Sequence, residues 1–103
     1  MEKLYLELCR GRHSIPGATD GAVFENTLAD IAAVLEMEET ALKRLSSLIA
    51  SKNKAIDTLN LYVTGFTPAL VATINAAHRL GLKIILWHYN RDTDNFFPQE
   101  VMK

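Results

Sequence analysis

The feature that most constrains this sequence is a strand, turn and helix in direct succession in its second half. The apolar run Leu59–Val63 leads into Thr64-Gly65-Phe66-Thr67-Pro68, and a helical pattern follows over Ala69–Leu80. Gly65 permits a positive φ or the close approach of another group to the backbone. Thr67 is a favoured N-cap residue, and Pro68 then falls at N1, where its missing N–H costs nothing. The pattern therefore predicts a helix that begins just beyond the carboxyl end of a strand.

Strand patterns on both sides of this turn predict the fold class. Their bounds are Lys3–Cys9, Ile56–Val63, Lys83–Tyr89 and Asn95–Val101. The first alternates apolar and polar residues, and the third is nearly continuous in apolar residues, as in a parallel strand covered on both faces. We expect one α/β domain over residues 1–103, Rossmann-like and in two or three layers. Its mostly parallel sheet has about four strands, with the first strand inside and an antiparallel C-terminal hairpin at the edge, where Pro98 is tolerated.

The segment between the first two strands is harder to interpret. The stretch Arg10–Glu25 is longer than the ~12–15 residues usual for a loop without a role, so it is either functional or contains a short structured element. A helix can begin at Asn26 or Thr27. An acidic interruption around Glu38 and Glu39 then favours a second helix starting near Met37 over one long, bent helix.

Composition and charge exclude several classes of protein. A net charge of −1 over 103 residues argues against a protein that coats long nucleic acids, which would need a cationic excess. The single Cys9 excludes an internal disulfide, and the Cys and His positions lack metal-ligand spacing, so we predict neither a metal nor a cofactor. No apolar run is long enough for a membrane span and no signal peptide is recognisable, so we expect a cytoplasmic protein.

Two connecting segments are predicted to meet at the carboxyl edge of the sheet and to form an anion site. The N–H groups at the start of the helix after Thr67 are suited to a phosphate or carboxylate. The segment after the first strand supplies forked and titratable donors. The predicted ligand-binding residues are Arg10, Gly11, Ser14, Thr64, Gly65, Phe66, Thr67, Asn90 and Arg91, and the candidate catalytic residues are Arg12 and His13.

Each of these groups also has a structural interpretation. Arg10 and Arg12 could lie in a solvated loop and pair with acidic residues such as Asp20. Thr64, Gly65 and Thr67 are ordinary turn and cap residues, and Asn90 with Arg91 fits a hairpin turn. The sequence alone does not decide between the anion-binding and the structural interpretation of these residues.

Residues 60–97 resemble one half of the CRISPR-associated Rossmann fold (CARF) domains. That family typically carries a strand ending in Thr-Gly-Gly-Thr-Lys, a helix rich in small residues, and a closing strand hairpin. Thr64, Gly65 and Thr67 match the motif, whereas Phe66 replaces its second glycine and Pro68 its lysine. The lost lysine is a departure at a position that lies at the ligand in that family.

The resemblance implies a homodimer that binds a cyclic oligoadenylate across its two-fold axis, and in some members, the ring nucleases, metal-independent cleavage of that ligand. On chemical grounds, Arg10 and Arg12 would hold phosphates and His13 would move a proton. We therefore expect binding of a small phosphate-bearing ligand, with phosphodiester cleavage left open. The alternatives are a non-catalytic protein–protein interaction domain and an enzyme acting on a small phosphorylated metabolite.

Overall fold

The computed structural model describes residues 2–10, 15–24, 34–64 and 67–102. Its elements are the strands β1 (Glu2–Cys9), β2 (Ala22–Phe24), β3 (Ile56–Tyr62), β4 (Lys83–Asn90) and β5 (Asn95–Val101), and the helices α1 (Val34–Lys52) and α2 (Thr67–Arg79). They form an α/β fold with a single five-stranded sheet, consistent with a small Rossmann-like domain.

The strands lie in the order β2-β1-β3-β4-β5. β1 is parallel to both β2 and β3, β3 is parallel to β4, and β5 returns antiparallel to β4 at the edge. The predicted interior position of β1 and the edge position of Pro98 are confirmed. The chain moves to one side of β1 to form β2 and to the other side to form β3 and β4. The strand order therefore reverses between β1 and β3, where sheets of this topology leave a crevice.

β2 is the element that the sequence patterns did not predict. Its three residues lie inside the stretch interpreted as a loop, and they pair with β1 through Glu7↔Ala22 and Cys9↔Phe24. Arg44 Nε of α1 also donates to the Ala22 carbonyl at 3.0 Å. The long segment after β1 therefore does contain a short structured element.

The helices pack on one face of the sheet because their apolar stripes meet the leucines of alternating strand positions. Leu4, Leu6 and Leu8 of β1 are completely buried, together with Leu59 and Leu61 of β3. The helical residues of the same core are Met37, Ala41, Leu45, Ala69, Ala72, Ala76 and Ala77. The small side chains of α2 allow the helix to lie close to the strands.

The helix predicted to start near Met37 corresponds to α1, which the structure describes from Val34, three residues earlier. α1 runs without interruption from Val34 to Lys52, and Met37, Ala41 and Leu45 are all buried. Their spacing of four residues places them on one face of this helix, and the acidic residues lie on its other faces. The predicted start at Asn26 or Thr27 lies outside the described residues.

The predicted end of α2 is confirmed. Gly81 follows the helix with a φ of 73°, a left-handed conformation that favours glycine. The Leu82 N–H then donates to the Ala77 carbonyl at 3.0 Å, which satisfies a terminal carbonyl and turns the chain into β4.

Candidate functional site

The ends of β1 and β3 are joined by the side chain of Thr64. Its Oγ1 accepts a hydrogen bond from the Cys9 N–H and donates one to the Cys9 carbonyl, each at 3.0 Å. Both residues lie at the carboxyl ends of their strands, on the two sides of the reversal in strand order. The described parts of the two connecting segments thus meet at one edge of the sheet, as the sequence predicts.

Arg10 lies directly after this junction. Its backbone N–H donates to the Phe24 carbonyl at 3.0 Å, so the end of β2 is fixed beside the end of β1. The Arg10 side chain is exposed at this edge. Arg10 therefore lies at the carboxyl edge of the sheet, beside the end of β2.

Thr67 is the first residue of α2 and is exposed. The first turn of the helix contains no acidic residue, so the positive end of its dipole is not compensated within that turn. Glu38 and Glu39 nevertheless lie nearby, because they line a cavity together with Thr67 and Pro68. Glu38 and Glu39 consequently disfavour an anion in this cavity.

Asn90 and Arg91 lie in the hairpin between β4 and β5. The Asn90 Oδ1 accepts a hydrogen bond from the Asp92 N–H at 2.9 Å, the arrangement of an Asx turn, and Arg91 is exposed. Tyr89 Oη donates to the Asp94 carboxylate in the same turn. The structure therefore gives Asn90 a turn-forming contact, at the edge of the sheet where β3 also ends.

Cys9 is half-buried, and its thiol has a raised pKa. Burial, which disfavours the thiolate, is the larger cause, and the nearby Glu7 carboxylate adds to it. Glu7 is itself only 5% exposed. A thiol in this environment stays protonated at neutral pH, which is unfavourable for a nucleophile.

The other predicted site residues lie outside the described residues. These are the candidate catalytic residues Arg12 and His13 and the candidate ligand-binding residues Gly11, Ser14, Gly65 and Phe66. Their described neighbours in the chain, Arg10 and Thr64, are the residues that the structure brings to the same edge.

The last part of the segment after β1 is anchored by Asp20, a role that the sequence patterns did not predict. Asp20 Oδ2 accepts from the Tyr5 N–H and the Asp20 N–H donates to the Tyr5 carbonyl, both at 2.9 Å. The carboxylate also pairs with Lys52 at the end of α1. An aspartate in a long polar stretch gives no sequence signal that distinguishes such an anchor from a solvated residue.

Gly17 of the same segment lies against Tyr62. A Cβ atom on Gly17 would come within 2.2 Å of the Tyr62 Oη, so only glycine allows this approach. Tyr62 stacks on Trp87 with ring centroids 5.9 Å apart and meets the edge of Phe96 at 5.0 Å. These aromatic residues occupy the face of the sheet opposite α1 and α2, and the segment after β1 folds partly onto that face.

Within the described parts of the chain, no group of three or more His, Cys, Asp or Glu side chains could hold a metal ion. In the same residues, no helix is long and apolar enough to cross a membrane. Comparison of the chain with protein-family models, with curated proteins and with solved structures gave no match.

Proposed function

We propose that this protein binds a small phosphate-bearing ligand in the crevice at the carboxyl ends of β1 and β3. The observation that carries the proposal is the Thr64–Cys9 junction, which brings the segment starting at Arg10 and the turn leading to α2 to the same point of strand reversal. Crevices at such reversals are where open α/β sheets bind ligands.

The groups at this edge support an anionic ligand. The side chain of Arg10 is exposed there, and α2 begins just beyond Thr64 with no acid in its first turn. The cationic segment continues with Arg12 and His13 in the sequence. Arginine donors and helix N–H groups together would share the phosphate oxygens of one ligand.

A cyclic oligonucleotide is the specific ligand that we propose to test, since the resemblance of residues 60–97 to the CARF domains implies it. The same resemblance implies a homodimer, in which two crevices would face one symmetric ligand across a two-fold axis. Cleavage would proceed by attack of a ribose 2′-hydroxyl on the adjacent phosphate, and the displaced ribose 5′-oxygen would take up a proton. Arg12 would stabilise the charge on the phosphate oxygens, and His13 would serve as acid or base.

Binding is tested by thermal unfolding with inorganic phosphate, mononucleotides and cyclic oligoadenylates, since a ligand of the native state raises the unfolding temperature as its concentration rises. Arg10→Ala and Arg12→Ala should each weaken binding by about tenfold or more, the loss expected for a charge-assisted hydrogen bond. Lys83→Ala is the matched control, because Lys83 lies at the amino end of β4 and pairs with Glu100. No stabilisation by any of these anions would refute the proposal and favour the interaction domain.

Cleavage is tested separately by incubating labelled cyclic oligoadenylate with the wild type and with His13→Ala. Product in the wild type alone supports the proposed chemistry. Intact substrate in both samples would refute the proposed nuclease activity. Ligand binding is tested separately by the thermal measurements. The mass of the protein in solution, with and without the ligand, tests the homodimer.

A further inference from the structure

A second concave site lies between the two helices and differs from the phosphate site in its charge. It is a cavity of about 660 Å³. Its described lining comes from the second turn of α1, with Glu38 and Glu39, and from the first three turns of α2, with Thr67, Pro68, Val71, Ala72 and Asn75. We call it the interhelical groove.

The floor of the interhelical groove is apolar. Val71 is 52% exposed although it belongs to a helix whose neighbouring Ala72 is 4% exposed, so its side chain is presented to the groove and to solvent. Pro68 and Ala72 extend the apolar surface on either side. The volume and the few polar groups at the margin are typical of sites that bind small organic molecules.

The charge at the margin is negative. Glu38 and Glu39 both line the groove, and the described lining includes no basic side chain. Both carboxylates contact a single cation from outside the lining, since Arg79 Nη1 lies 3.0 Å from Glu38 Oε2 and 3.3 Å from Glu39 Oε1. One guanidinium therefore faces two carboxylates, which leaves an excess of one negative charge.

The Arg79 contacts do not close the site. The Arg79 side chain is 50% exposed, and ion pairs in such positions contribute little because water and salt screen them. A ligand cation that also buries an apolar body against Val71 can compete for the carboxylates. An anion is disfavoured here, since it would meet Glu38 and Glu39 at close range.

We propose that the interhelical groove binds a small organic cation with an apolar body, and that this site adjoins the phosphate site at Thr67. The apolar body lies on Pro68, Val71 and Ala72, and the cationic group donates hydrogen bonds to the carboxylates of Glu38 and Glu39. Thr67 and Asn75 are the other polar residues of the lining, and the amide oxygen of Asn75 can accept a hydrogen bond from the ligand.

The probes are three molecules of similar shape that differ in charge: phenethylammonium, phenethyl alcohol and phenylacetate. Amide chemical shifts in ¹H–¹⁵N spectra are recorded as each is added to the full chain. We expect phenethylammonium to move the resonances of Val71, Ala72 and Asn75 in a saturable manner. The neutral probe should bind at least about tenfold more weakly, the loss expected without the charge-assisted hydrogen bonds, and phenylacetate should not bind.

Two variants at partly or fully exposed positions are expected to change the affinity in opposite directions. Glu38→Gln combined with Glu39→Gln should weaken binding of phenethylammonium by about tenfold or more. Arg79→Gln removes the competing guanidinium and should strengthen the binding. Nonspecific binding to an apolar surface would give equal affinities for all three probes and no change in affinity with Arg79→Gln. Either result would overturn the proposal.

Binding at the two sites can be distinguished by resonances that lie away from the shared residue Thr67. Inorganic phosphate is expected to move the resonances of Arg10 and Thr64 and to leave those of Val71 and Asn75 unchanged. If phosphate fails to bind while phenethylammonium binds as described, the proposal for the interhelical groove stands without the proposed function. If phenethylammonium leaves the groove resonances unmoved at saturating concentration, the proposal for the groove is wrong.

Discussion

Thr64 Oγ1 takes the place of a strand residue for Cys9, accepting from its N–H and donating to its carbonyl at 3.0 Å each. The regular pairing of β1 with β3 reaches Glu7↔Tyr62 and stops there. The threonine hydroxyl thus satisfies two backbone groups beyond the end of the ladder. It fixes the exit points of the two segments that form the proposed phosphate site.

We expect Thr64→Val to lower the free energy of unfolding by about 1–3 kcal/mol, because the shape is kept while both partly buried backbone groups of Cys9 lose their partner. The same substitution should weaken phosphate binding, since the two segments are no longer held together. Urea unfolding and thermal shifts with phosphate measure the two effects. Thr64→Ser retains the hydroxyl and is expected to stay close to the wild type in both. A Thr64→Val protein as stable as the wild type would contradict the role of the junction.

Gly17→Ala should destabilise the protein by about 1–3 kcal/mol, the usual cost of overpacking. The new Cβ would lie 2.2 Å from Tyr62 Oη, and Trp87 and Phe96 restrict how far the Tyr62 ring can yield. Urea unfolding of Gly17→Ala measures this cost.

A double-mutant cycle identifies the source of that cost. Tyr62→Phe removes the oxygen that is closest to the added atom, so Gly17→Ala should cost less in that background than in the wild type. Equal costs in both backgrounds would show that the strain arises elsewhere in the segment.

The architecture could be predicted from sequence where a regular pattern of apolar residues extends over a whole strand or helix. Leu4, Leu6 and Leu8 specify β1 and its buried face, and the alternation of strands and helices then specifies a mostly parallel sheet. β2 could not be predicted this way, because three residues are too short to show a period. Ala22–Phe24 becomes a strand through its pairing with β1. Local acidity predicts a helix start near Met37, and the described helix begins close by at Val34, whereas the start predicted at Asn26 or Thr27 lies outside the described residues.

For the candidate site, the location could be predicted from sequence but the individual contacts could not. Parallel strands end at the same edge of a sheet, so the segments after β1 and β3 are expected to leave from one edge. The Thr64–Cys9 junction agrees with this expectation. The individual contacts depend on register and on side-chain direction, which a single sequence does not specify. The approach of Gly17 to Tyr62 and the anchoring of Asp20 at Tyr5 are of this kind. Placement of the catalytic candidates Arg12 and His13 stays a prediction.

Asp20→Ala should lower the free energy of unfolding by about 1–3 kcal/mol, because the Tyr5 N–H loses its acceptor and Lys52 loses its partner. Asp20→Asn is the matched control, since it keeps an oxygen acceptor for the Tyr5 N–H and removes only the charge. We expect its cost to be under about 1 kcal/mol, the value of an ion pair near the surface. Urea unfolding of both variants measures the difference, and equal losses would show that the ion pair carries the whole effect.

The environment of Cys9 predicts how its reactivity depends on pH. Burial and then the Glu7 carboxylate raise the thiol pKa above its ordinary 9.0, so the rate of alkylation by iodoacetamide should reach half its maximum above pH 9.0. Glu7→Gln should lower this midpoint, because it removes the nearby charge, but not to the ordinary value, because the burial remains. The folded pKa exceeds the unfolded one, so the thiol's contribution to stability is complete below the unfolded pKa and is lost as the pH rises through the folded pKa. Urea unfolding between pH 8 and 10 should therefore show a decline that Cys9→Ser reduces. A midpoint at or below pH 9.0 would contradict this account of the β1 terminus.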